Sequence, residues 1–107
     1  MLTNENFKEE LGKAGFAVTL ISGEGCANCL TMLPLVKDLE KRRSDISVFY
    51  VEVDESNFKI NEHFNVEVVP TILLTFNGIE VSKIKGYQPQ EIFDIYIDTK
   101  FEESVNK

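Results

Sequence analysis

Phe16-Ala-Val-Thr-Leu-Ile-Ser-Gly-Glu-Gly-Cys-Ala-Asn-Cys29 is the stretch that decides the fold. It begins as a mostly apolar run, residues 16–21, of the kind a strand buried on both faces requires. Gly23 and Gly25 interrupt that run, and two thiols spaced by two residues then open a long helical pattern over residues 26–43. A strand, a glycine-rich turn and a helix, in that order, put Cys26 at a helix N-terminus. The unpaired amides and the macrodipole there favour an anion, which makes the Cys26 thiolate a usable nucleophile at neutral pH. Cys29 falls one turn further on, close enough to close a ring. These are the only two cysteines among 107 residues, so neither has another partner within the chain.

Working outward, the helix after the thiols offers alternative buried faces through Leu30, Leu33, Val36 or Lys37, and Leu39 or Glu40. Its basic end, Lys41-Arg42-Arg43, suits a negative helix C-terminus. Pro34 lies inside it and predicts a bend. Upstream, Thr3 or Asn4 can cap a short helix that runs to about residue 13 and stops at Gly12 or Gly15, with Phe7 and Leu11 as its buried stripe. Downstream, residues 46–53 are rich in β-branched and aromatic side chains and predict a strand. Asp54-Glu55-Ser56 offers a cap for a short helix over about residues 57–64. Residues 71–76 predict a third strand, and Asn77-Gly78 is a strong hairpin signal that returns residues 80–85 antiparallel. Pro89 suits the first turn of a last helix whose Phe93, Ile97 and Phe101 recur every four residues. Residues 102–107 are expected to fray.

The order α-β-α-β-α-β-β-α predicts an α/β fold. A right-handed crossover makes the first two strands parallel, and the hairpin completes a mixed central sheet of four strands with helices on both faces. The length predicts a single domain over residues 1–107. Composition is ordinary, with 43% apolar and 27% charged residues, which excludes disordered, collagenous and disulfide-scaffold classes. The net charge of −7 argues against a nucleic-acid partner. No apolar run approaches membrane-spanning length. The first ten residues lack the basic-then-apolar pattern of a secretory signal, so a cytoplasmic location is expected.

With the elements in place, the chain resembles the thioredoxin family over nearly its whole length. The resemblance rests on spaced features in register. Cys26-x-x-Cys29 opens a helix, and Pro34 follows eight residues after the first thiol. Val53-Asp54 ends a strand. Val68-Val69-Pro70-Thr71-Ile72-Leu73-Leu74 is followed by Phe76-Asn77-Gly78-Ile79-Glu80-Val81, and Gly86 follows the last strand. The resemblance implies a thioredoxin-like three-layer sandwich and a cis Val69–Pro70 bond. It also implies a substrate groove of Gly25, Ala27, Asn28, Val69, Pro70 and Gly86, in which the backbone of Val69 pairs with an extended segment of substrate. The implied activity is reduction of protein disulfides, with Cys26 and Cys29 catalytic and their disulfide the redox centre. No metal or organic cofactor is expected. The partners implied are disulfide-containing proteins, with a flavoprotein reductase or a small thiol as electron donor.

The chain also departs from the family pattern. Gly25 stands where the family has a tryptophan. The family's buried aspartate falls on Leu20 and its companion lysine on Tyr50; losing both together avoids an unpaired buried charge. Glu24 is near but expected to be solvated. Ala27-Asn28 brings no positive charge between the thiols, which predicts a moderately lowered thiol pKa and a reducing role. The usual N-terminal strand is missing, leaving residues 46–53 as an edge strand through which an otherwise monomeric protein could dimerise. A closed zinc site would need four ligands, and beyond the cysteines only His63 and carboxylates remain. His63 itself reads as a helix surface residue, and Asp54 as a strand-end residue. The alternative to an enzyme is a binding or accessory protein that uses the groove at Val69-Pro70 with little turnover.

Overall fold

The computed structural model of the chain describes residues 2–105. The elements are α1 (Phe7–Lys13), β1 (Phe16–Gly23), α2 (Ala27–Arg42), β2 (Ser47–Val53), α3 (Lys59–Phe64), β3 (Thr71–Phe76), β4 (Ile79–Lys85) and α4 (Gln90–Val105). Their sheet has the order β2-β1-β3-β4. β1 runs parallel to β2 and antiparallel to β3, and β4 returns antiparallel beside β3. This is the expected α/β sandwich with a mixed four-stranded sheet.

Alternation along the central strands builds two cores. Val18, Leu20, Ile72 and Leu74 meet Met32, Val36 and Leu39 of α2 and Phe93, Ile97 and Phe101 of α4. Ala17, Ile21 and Leu73 point the other way, onto Phe7 and Leu11 of α1 and Ile60 and Phe64 of α3. β1 is therefore covered on both faces, which is why its residues read as a continuous apolar run. Thr19 and Thr75 share the α1 side of the sheet, fully buried, and their hydroxyls have no hydrogen-bond partner among the described residues.

Several local expectations are corrected. The α1 N-cap is Asn6, whose Oδ1 accepts the Thr3 amide at 2.7 Å and makes no bond to the helix. That helix ends at Lys13 with an extended Ala14, so neither Gly12 nor Gly15 terminates it through a left-handed conformation. Asn4 instead serves α3: its Oδ1 accepts the Lys59 amide at 2.9 Å, and its Nδ2 donates to the Ser56 carbonyl at 2.6 Å. Asp54 closes a local turn onto the Ser56 amide and does not cap α3. In α2 the buried face is Cys29, Met32, Val36 and Leu39, spaced three, four and three residues apart. Leu30 is 72% exposed, because burying its side would turn Met32 and the second thiol outward. Pro34 lies within α2. Pro89 stands just before α4, its carbonyl accepting the Phe93 amide. α4 continues through Val105, anchored by buried Phe101, where fraying was expected from residue 102; residues 106–107 lie outside the described part. β2 is an edge strand, and the Leu2 amide donates to its Tyr50 carbonyl at 2.9 Å.

Candidate active site

Cys26 is the N-cap of α2, with extended backbone, and its Sγ accepts the Cys29 amide at 3.2 Å. Gly25 makes this entry possible. It turns the chain out of β1 at φ +75°, a conformation that costs an L side chain about 1–2 kcal/mol. The two sulfurs form a disulfide with Cα atoms 5.3 Å apart. The pair is asymmetric. Cys29 lies on the buried face of α2 and is 5% exposed, whereas Cys26 is half-buried at the turn. An incoming sulfur reaches Cys26 first, and the amide that now touches its Sγ is placed to stabilise a thiolate there.

A second loop approaches from β3. The Val69–Pro70 peptide bond is cis. The Thr71 hydroxyl donates to the Val68 carbonyl at 2.6 Å and closes the turn around it. The Pro70 carbonyl accepts the Gly86 amide at 2.9 Å, and Gly86 has φ +78° as the chain leaves β4. Antiparallel pairing of Ile21 with Thr71 sets this turn beside the end of β1. There it packs on bare backbone: a Cβ on Gly23 would lie 3.4 Å from a Val69 methyl. The sheet thus brings Val69, Pro70 and Gly86 together at the end of β1 that leads into the thiols. Gly25, Ala27 and Asn28 lie exposed at the helix entry. Pro70 is buried, while Val68 is 47% exposed beside it.

Beneath the disulfide the surroundings are apolar. Leu20 and Tyr50 are direct partners across the β1–β2 ladder. Leu20 is buried, and the half-buried Tyr50 donates its hydroxyl to Glu40 at 3.1 Å. Burial, with the Glu40 carboxylate second, pushes the Tyr50 phenol up to about 12. Leu20, Leu30 and Leu33 floor a shallow depression alongside both cysteines, with Glu24 and Glu52 on its rim. His63 lies exposed on α3, its ring edge-on to Phe7 at 5.6 Å, in the layer on the other side of the sheet. Among the described residues no group of three or more His, Cys, Asp and Glu side chains is placed to hold a metal ion.

Sequence reasoning missed Gly23, Thr71, Leu30, Val68 and Glu52 as neighbours of the site. Gly23 carried a usable signal, since a glycine at the end of an apolar strand marks close backbone approach. Glu52 carried none, because its place comes only from strand register.

The model of the family described as Thioredoxin matches residues 1–99. This chain belongs to the thioredoxin family. It is similar to thioredoxin from Listeria monocytogenes, 28% identical over 98 residues, covering 91% of this chain and 93% of that protein. An H-type thioredoxin from Fagopyrum esculentum is 27% identical over 89 residues, covering 83% of this chain and 76% of its own. Among solved structures, a thioredoxin variant from Halobacterium salinarum superposes with a TM-score of 0.80 at 20% identity, over 91% of this chain and 84% of that one. Thioredoxin f2 of Chlamydomonas reinhardtii gives 0.79 at 21%, over 88% and 89%. These two likenesses bear on the fold. The family match and the CxxC disulfide together make the protein a thiol–disulfide oxidoreductase of thioredoxin type, and members of this family reduce protein disulfides. No helix among the described residues is long and apolar enough to cross a membrane.

Proposed function

We propose that the protein reduces disulfides of extended protein segments, with Cys26 as the attacking and Cys29 as the resolving thiol. The supporting observation is the asymmetry of the pair: Cys26 caps α2 and is reachable, and Cys29 is buried one turn behind it. In the reduced protein the Cys26 thiolate attacks one sulfur of the substrate disulfide. A bond forms from Cys26 to that sulfur, and the other substrate sulfur leaves as a thiolate and takes a proton. Cys29, once deprotonated, attacks Cys26 Sγ. The mixed disulfide breaks, the second substrate thiol departs, and two electrons have passed to substrate. The Cys26–Cys29 disulfide is the end state of this cycle.

Substrate lies across Gly25, Ala27 and Asn28 on one side and Val69, Pro70 and Gly86 on the other. The main chain of Val69 offers strand-like pairing that reads no side chains. The disulfide is the sole redox centre and calls for no metal or organic cofactor. A flavoprotein reductase or a small thiol restores the dithiol. The protein works as a monomer in a reducing compartment such as the cytoplasm. Asn28 cannot hold a thiolate by charge, so a reduction potential below about −230 mV is expected on equilibration with thiol buffers.

The deciding experiment is a Cys29→Ser variant incubated with a disulfide-containing protein. A stable mixed disulfide through Cys26 should accumulate, and Cys26→Ser should yield none. Equal trapping by both variants, or by neither, would sink the assignment of roles.

A further inference from the structure

A polypeptide attacked at Cys26 must lay the residues around its cysteine over the surface beside that sulfur. The depression on the α2 side is one such surface, and topology fixes its walls. β1 and β2 run parallel and finish together, which puts Ser22 and Glu52 side by side. Ser22 is two residues on from Leu20 and Glu52 two on from Tyr50, residues that pack towards α2, so both lie on that face of the sheet. The ends of the strands and the first turns of α2 then bound a shallow trough that reaches both cysteines. Its floor is aliphatic. Among the described residues the ionisable groups on its rim are Glu24 and Glu52, both exposed, and no lysine or arginine lines it. Neither carboxylate has a cationic partner among the described residues. Gly25, lacking a side chain, leaves the entrance uncovered.

A side chain with a long aliphatic stem and a cationic head complements these walls. The stem can lie on Leu30 and Leu33 while the head remains hydrated between the two carboxylates. We infer that the trough is a specificity subsite for a lysine or arginine close to the reactive cysteine of the substrate polypeptide. The inference rests on the reading of Cys26 as the attacking sulfur. It complements the main-chain pairing at Val69, which selects no side chain: Glu24 and Glu52 supply a preference the other side of the groove lacks.

The test uses two disulfide-closed peptides that differ only in arginine or glutamine beside the cysteines. Each kcat/KM is divided by the rate with dithiothreitol, which removes the peptides' intrinsic reactivity. The wild-type protein should favour the arginine peptide by about two- to fivefold, the range of an exposed charge pair. That ratio should fall to about one in the Glu24→Gln/Glu52→Gln protein and in high salt. Glu103→Gln, at the far end of the sheet, should leave it unchanged. A wild-type ratio of one overturns the subsite. So does a ratio that Glu103→Gln lowers as much as the double substitution, which would trace the preference to the overall charge of −7. Failure to reduce either peptide, together with no trapping by Cys29→Ser, overturns the reductase roles themselves.

Discussion

Leu20 and Tyr50 face each other across the first parallel ladder, and Leu20 lines the depression that reaches both cysteines. An aspartate at position 20 would be a carboxylate in an apolar core with no cation opposite. Leu20→Asp should therefore cost several kcal/mol in chemical denaturation, and Tyr50→Lys added to it should recover part of the loss through a coupling that neither substitution shows alone. Simple additivity in that cycle would mean the two positions do not communicate. Tyr50 also gives a pH prediction with a definite sign. Its phenol is held up to about 12, first by burial and then by Glu40, so the fold favours the neutral form. The stability this contributes is complete below the unfolded value of about 10 and is lost as pH rises through 12. Difference absorbance of wild type against Tyr50→Phe should show the ionisation near that upper value. At this scale the thiols were legible from spacing alone. The cis geometry before Thr71 was not, since nothing in Val69 or Pro70 distinguishes it from an ordinary strand-start proline; it came only through the family resemblance.

Elements were legible wherever one periodic face dominated. β3 was bounded correctly because glycine, proline and Asn77 punctuate it on both sides. α2 was harder, because two apolar faces competed and only the need to bury Cys29 and Met32 together chose between them. The start of α3 could not be read locally, since its first amide is capped by Asn4 from more than fifty residues away. Asn4→Ala should accordingly lower stability by about 1–2 kcal/mol and speed hydrogen exchange at the Lys59 amide before that of the β1 amides. Uniform acceleration of both would show that Asn4 supports the whole fold and not this junction. Within the sheet, the buried hydroxyls of Thr19 and Thr75 lack partners among the described residues. Valine fills the same space without an unsatisfied donor, so Thr75→Val should hold or raise the denaturation midpoint, by up to about 1 kcal/mol. A loss of that size would reveal a hydrogen-bonded water at the hydroxyl.

Across the molecule as a whole, a set of surface ion pairs is what acid loosens. Arg43 donates to Asp45 and Asp98, Arg42 bonds to Asp38 and Asp94, and these pairs tie the end of α2 to α4 and to the loop before β2. Arg43 holds Asp45 below the usual carboxylate range, and hydrogen bonds from Ser56 do the same for Asp54. Because both folded values are depressed, their contribution is present above about pH 4 and fades as pH falls through the folded values. Asp45 and Asp54 are both exposed, so the effect should be small and should shrink in high salt; melting curves across pH 3–5 at two ionic strengths would show it. The polarity of α4 has a different consequence. It begins beside the Gly86 turn and runs the length of the sheet, about 24 Å, so that Lys100, Glu103 and Ser104 end against Phe76 and Ile79 at the hairpin. The disulfide sits at the opposite pole. A bead, an electrode or a carrier domain joined beyond this helix would hold the protein by its inert end and present every copy of the reactive sulfur outward.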